Sequence, residues 1–138
     1  MRAAALVARA MLLIGAGALA LPAPLAWSAD SEVVIRAGAL EPHVLRAVAG
    51  ERVNFVKRVG HPVHVEFGED PGHQVFHVPA AEPIWAIFHR PGTHPYVVHI
   101  YDGKPTVLHG VVEVRENPER PWGLGTCAAV VMEQCVEP

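Results

Sequence analysis

The residues of this chain with the clearest capacity for chemistry are its nine histidines. Histidine is the commonest metal ligand in proteins, and its side chain changes charge near neutral pH. All nine lie within 67 residues of one another: His43, His61, His64, His73, His77, His89, His94, His99 and His109. This density of imidazoles predicts a protein that binds a metal ion.

Other chemistries have little support in the sequence. The chain contains no glycine-rich phosphate loop, no C-x-x-C and no H-E-x-x-H motif. Ser31 is the only serine after residue 28, so a serine nucleophile has no setting. Hydrolytic zinc catalysis would need three ligands, an open position and a general base, and no pattern selects that arrangement. We therefore expect a protein that is not an enzyme.

The N-terminal segment has the pattern of a secretory signal peptide. Arg2 and Arg9 precede an uncharged apolar run over residues 10–21, and prolines and the small residues Ala26 and Ser28 follow it. The run is shorter than the roughly 20 residues that span a bilayer. We predict that residues 1–28 are removed on export and that the mature protein is periplasmic or secreted, without stable membrane insertion. An uncleaved N-terminal anchor is the alternative.

The remaining chain is long enough for one domain and one core. Removal of Arg2 and Arg9 would change the formal net charge from −3 to −5, because all 14 acidic residues follow residue 28. A mildly acidic domain lacks the basic patch that binds phosphate backbones. A nucleic-acid partner is therefore not expected.

These histidines must be positioned by short strands. Apolar and β-branched runs alternate with Gly and Pro turn signals every 8–12 residues, as in all-β sandwiches and barrels. Val63, Val65 and Phe67, for example, alternate with His64 and Glu66. The predicted strands are residues 33–36, 43–48, 52–56, 63–67, 74–78, 83–88, 96–101 and 107–114. About eight strands predict an all-β Greek-key sandwich or barrel within a domain of residues 29–116.

Residues 117–138 form a proline-bounded linker and a tail that contains Cys127 and Cys135. On a continuous helix their Cα atoms would lie about 12 Å apart, whereas a disulfide needs less than about 7 Å. The tail must therefore bend into a hairpin, pair with another chain or keep free thiols. A disulfide that fastens the tail and a thiolate pair for a soft metal are both open.

Three segments resemble the cupredoxin family, the Greek-key proteins that include plastocyanin and azurin. Residues 41–56, with Pro42 and the turn Ala49-Gly50-Glu51, resemble the entry block of that family. Residues 61–67 (HPVHVEF) resemble the strand with the first copper histidine, and PGTHPYVVH followed by LHGVVEV resembles the closing block. The resemblance covers residues 33–114 and implies a cupredoxin-like sandwich.

The blue-copper ligands of that family have no counterparts here. Under this alignment the first histidine position falls on Val63 and the cysteine position on Val98. The second histidine and methionine positions fall on Tyr101 and Leu108, and no cysteine occurs before residue 127. A thiolate is what makes such a site a rapid electron carrier. We therefore expect no blue-copper electron transfer.

His64, His99 and His109 each follow one of the vacated positions by one residue, and a shift by one places a side chain on the opposite face of a strand. We expect all three to point outward together with Glu66 and Glu113. A bulge that restores the inward register at the copper end is the alternative. Three imidazoles and a carboxylate suit Cu(II) or Zn(II). His61 and His94, in or beside turns at the end where the family binds metal, are further candidate ligands.

The sequence therefore predicts an exported, cupredoxin-like protein that binds copper, or zinc, for storage or hand-over. The alternative is a metal-free interaction module, accessory to a membrane or redox complex, with the C-terminal tail as the segment that contacts a protein partner.

Overall fold

The computed structural model describes residues 30–68, 73–121 and 127–136, and the predicted signal peptide, residues 1–28, lies outside them. Eleven strands form in the described residues: β1 (Asp30–Arg36), β2 (Ala39–Glu41), β3 (Val44–Val48), β4 (Arg52–Lys57), β5 (Val63–Phe67), β6 (Gln74–His77), β7 (Ile84–Phe88), β8 (Gly92–Tyr101), β9 (Pro105–Arg115), β10 (Ala129–Val131) and β11 (Gln134–Val136). All eight expected strands are present. No helix in this part of the chain is long and apolar enough to cross a membrane.

The strands form two sheets. The first sheet has six strands in the order β11-β10-β7-β4-β1-β2, and the second sheet has five in the order β3-β9-β8-β5-β6. β1 lies parallel to β4 and β3 lies parallel to β9, while the other pairs are antiparallel. The expected all-β sandwich is confirmed.

The core lies between the sheets and follows from the alternation within each strand. On β5, Val63, Val65 and Phe67 are buried, and the residues between them are only partly covered. These side chains belong to one core cluster with Val98 and Ile100 of β8 in the same sheet and with Val33 and Val53 of the other sheet. Because every second residue enters the core, the intervening histidines and Glu66 are held on the outer face of the second sheet.

Tyr96 and Gly110 are matched across the β8–β9 pair. They are register partners, and the ring of Tyr96 covers the position that a Cβ on Gly110 would occupy. The ring is buried and lies edge-on to Phe55, with 5.1 Å between ring centroids. Burial raises the pKa of the Tyr96 hydroxyl well above its ordinary value. A side chain at residue 110 would therefore displace the largest buried ring of the second sheet.

The described end of the C-terminal tail, residues 127–136, contributes two strands to the first sheet. Cys127 and Cys135 form a disulfide, with their Cα atoms 5.6 Å apart. Cys127 precedes β10 and Cys135 lies in β11, so the bond closes the hairpin that these two strands form. Met132 and Glu133, both with positive φ, make the two-residue turn. β10 pairs with β7, and the apolar side chains at 128, 129, 131 and 136 are buried. This packing removes the reason for expecting the tail to be a docking segment.

Candidate metal centre

Three histidines form a row across adjacent strands of the second sheet. His64 on β5 is the cross-strand partner of His77 on β6 and also of His99 on β8. Side chains of direct cross-strand partners share a face, with Cβ atoms about 5 Å apart. We refer to His77, His64 and His99 as the histidine row and to the outward surface around them as the histidine face.

Glu66 and His109 lie in the next row of the same face. Glu66 is the partner of Val75 and of Val97, and Val97 is in turn the partner of His109. The pairing of β5, β8 and β9 is continuous over all these residues, without a bulge. The outward orientation expected for His64, His99 and His109 is therefore the one found, and the inward alternative is not.

Aromatic contacts connect the row to Tyr101. The ring centroids of His64 and His77 are 5.4 Å apart, with the rings nearly perpendicular. His64 also meets the ring of Tyr101 edge-on at 5.1 Å. His99 stacks on the same tyrosine at 6.4 Å, with 19° between the ring planes. The Tyr101 ring therefore contacts two of the three imidazoles.

Glu66 holds the ring of His99 in a fixed orientation. One carboxylate oxygen lies 2.9 Å from Nε2 of His99, and the other lies 3.6 Å from Nε2 of His73. Because a carboxylate accepts, Nε2 of His99 is the donor, which leaves Nδ1 as the ring nitrogen that an ion could bind. Histidines that bind metals commonly donate their other nitrogen to a carboxylate in this way. Glu66 therefore prepares His99 to offer Nδ1 to an ion.

His109 does not join His64. It lies on β9, two strands from β5, and inter-strand spacings of about 4.8 Å put it about 10 Å away across the sheet. His99 stands between them and is only a diagonal neighbour of His109. The structure brings together two of the three expected ligands, His64 and His99, and adds His77.

The expectation that His61 and His94 share one end of the domain is wrong. His61 lies in the turn just before Val63, the first residue of β5, and Val63 pairs with Ile100 near the end of β8. His94 lies six residues before Ile100, near the start of β8. At about 3.4 Å per residue this separation is about 20 Å. The two histidines therefore lie at opposite ends of the sandwich.

His94 is also directed into the core. It is only 4% exposed, its ring lies 4.9 Å from the ring of Phe88, and its Nε2 donates to the carbonyl oxygen of Arg90 at 2.7 Å. Burial lowers the pKa of His94, and the hydrogen bond to Arg90 opposes that shift without cancelling it. His94 is a neutral, structural histidine that closes one end of the core beside the C-terminal hairpin.

The residues at the expected blue-copper positions do not fit a copper ion. Val63 and Val98 are completely buried, and Leu108 packs against the core. These three aliphatic side chains have no atom that can ligate a metal, and Tyr101 is turned to the histidine face. Within the described ranges, no group of three or more His, Cys, Asp or Glu side chains is arranged to hold a metal ion. The histidine face therefore offers an ion pairs of histidine ligands, and not a set of three.

His77 is the member of the row that the sequence did not identify. It follows the core residue Phe76 at the end of β6, where no local pattern marks a metal ligand. The signal that could have found it is the pairing of β5 with β6, which makes His77 the partner of His64. That register depends on the length of the loop between the two strands, which local residue patterns do not specify.

Solved structures share the fold. The Cu(I) form of one amicyanin variant has a TM-score of 0.53 and 21% identity, covering 64% of this chain and 84% of that chain. A second amicyanin variant with Cu(I) has a TM-score of 0.52, with the same identity and coverage. A purple cupredoxin from Nitrosopumilus maritimus has a TM-score of 0.45 and 17% identity, covering 62% of this chain and 100% of that chain. No protein-family model and no curated protein matches the sequence. The likeness to amicyanin establishes a cupredoxin-like fold.

Proposed function

We propose that this chain is an exported, cupredoxin-like protein that binds copper, or zinc, through the histidine face. The observation that carries the proposal is the position of His64 as the cross-strand partner of both His77 and His99. A metal ion at the face would take imidazole nitrogens from His64 and a neighbour. The fold supports a copper-binding type of protein in general, and the histidines supply the ligands that its buried valines cannot.

The type of ligand favours binding over electron transfer. Imidazole suits both Cu(II) and Zn(II), and the soft thiolate that tunes a blue-copper site is not available because both cysteines are joined in the disulfide. Two nitrogens from one chain leave coordination positions open to water or to a partner. In a single copy these open positions would let a partner's ligand reach the ion, which suits hand-over.

Calorimetric titration of the purified chain with Cu(II) and with Zn(II) tests the proposal. His64→Ala removes the imidazole shared by both pairs and should weaken binding at least tenfold. His43→Ala is the matched control, because His43 is exposed just before β3 and lies outside the histidine row. Equal binding by the wild type and both variants would contradict the proposal.

A metal-free interaction module remains the second candidate, and exposed apolar side chains on the histidine face favour it. Val75, Tyr101 and Val107 are 51%, 42% and 46% exposed. Such residues on a sheet face suit contact with a protein. This candidate predicts that the loss of His64 leaves partner binding unchanged, whereas substitution of Val75 or Val107 weakens it.

A further inference from the structure

The His64–His77 pair already has the separation that one metal ion requires. A zinc–nitrogen bond is 2.0–2.1 Å long, and the centre of an imidazole ring lies about 1.1 Å beyond its nitrogen, so each ring centre would lie about 3.2 Å from the ion. At the tetrahedral angle, two such centres are about 5 Å apart. The observed separation is 5.4 Å. The pair needs a change in ring orientation, and no movement of its strands, to chelate an ion.

A third ligand from the same chain is not at hand. His99 lies on the far side of His64 from His77, two inter-strand spacings or about 10 Å from His77. Among the residues that the structure describes, no three potential ligands converge. A four-coordinate ion on His64 and His77 therefore has two positions that this chain does not fill.

We propose that a second copy of this chain fills them, so that one Zn(II) or Cu(II) ion bridges two histidine faces through His64 and His77 of each copy. This inference rests on the proposed function and names the partner of that site. A two-fold axis through the ion supplies four imidazoles from two identical surfaces, as expected for a symmetric pair of subunits.

The side chains around the pair suit contact with a second copy, but only when a metal ion helps to hold the two copies together. Val75, two residues from His77, and Val107 and Tyr101 near His99 expose apolar surface that the facing copy would cover. On each copy these side chains contribute on the order of a few hundred Å², whereas each partner in a stable protein interface buries roughly 600–1,000 Å². The faces alone cannot hold two copies together, and the coordinate bonds must supply the rest.

Analytical ultracentrifugation of the purified chain, with Zn(II), with Cu(II) and with a chelator, tests this inference. The mass should double on addition of half an equivalent of metal and return to that of the monomer with chelator. His77→Ala should abolish the doubling at the same concentration. His109→Ala, which removes a histidine from the same face outside the pair, should dimerise like the wild type.

The possible failures are distinguishable. A monomer that binds one ion and loses it in His64→Ala would overturn the bridged dimer and leave the proposed function intact. A metal-dependent dimer that persists in His77→Ala, or a dimer that persists in chelator, would also overturn the inference. Absence of any metal binding would overturn both the inference and the proposed function.

Discussion

Replacement of Gly110 by alanine should destabilise the second sheet, which carries the histidine face. A Cβ at this position would lie 2.7 Å from Cε1 of Tyr96, and it would lie still closer to the Cζ and hydroxyl of that ring. Carbon atoms pack at about 3.5–4.0 Å, so the methyl group enters the ring by about 1 Å or more. Tyr96 is only 2% exposed and cannot swing into solvent. Overpacking of this kind costs about 2 kcal/mol.

Thermal and urea unfolding of Gly110→Ala measure this loss, which corresponds to a decrease in melting temperature of roughly 8 °C for a domain of this size. Gly60→Ala is the matched control, because an added Cβ there meets nothing within 4 Å. In a Tyr96→Ala background, Gly110→Ala should cost much less, because the colliding ring is absent. Equal stability of Gly110→Ala and Gly60→Ala would refute the packing described for β8 and β9.

Three further predictions follow from the described contacts. Because burial lowers the pKa of folded His94 below its ordinary value of 6.5, the unfolded chain takes up a proton first. Stability should therefore fall as the pH drops below about 6.5, and urea unfolding of His94→Gln should show a smaller decrease over that range. Reduction of the Cys127–Cys135 disulfide opens a short loop, so the free energy of unfolding should decrease by about 2.5 kcal/mol, with loss of hydrogen-exchange protection in β10 and β11. Glu66→Ala removes the carboxylate that accepts from Nε2 of His99 and leaves no acceptor in its place, so the ring-nitrogen NMR shifts of His99 should change, whereas unchanged shifts would contradict the assigned hydrogen bond.

The sandwich could be predicted because its strands carry a strict alternation. On β5, three buried apolar residues alternate with His64 and Glu66, so the sequence itself separates the core face from the outer face. The turns are equally explicit. Gly50 and Gly103 adopt positive φ at the turns after β3 and β8, the positions where glycine signals interrupt the apolar runs.

The sequence does not predict strands β2, β10 and β11, because their local signals are weak or misleading. β2 has only three residues, and its one buried side chain, Leu40, does not establish a period. The hairpin turn at Met132 and Glu133 adopts positive φ without glycine or asparagine, so the usual hairpin signature is absent. A bend of the tail was one of three alternatives that the cysteine spacing left open, and only pairing with β7 fixes where the hairpin lies.

The sequence predicts on which face of the sheet the candidate histidines lie, but it does not predict which of them are neighbours. A one-residue offset from the core positions is enough to place His64, His99 and His109 on the outer face. Which of them are neighbours depends on strand order and register, and these are set by contacts between distant segments. That long-range pairing makes His77 the partner of His64 and keeps His109 one strand farther away.

Binding of a metal ion to the histidine face is tested most directly by the ring-nitrogen NMR spectrum of the histidines during titration with Zn(II). The signals of His64 and His77 should change together and saturate, while those of buried His94 and exposed His43 stay where they are. Uniform small changes at all exposed histidines, with no saturation at His64, would contradict it.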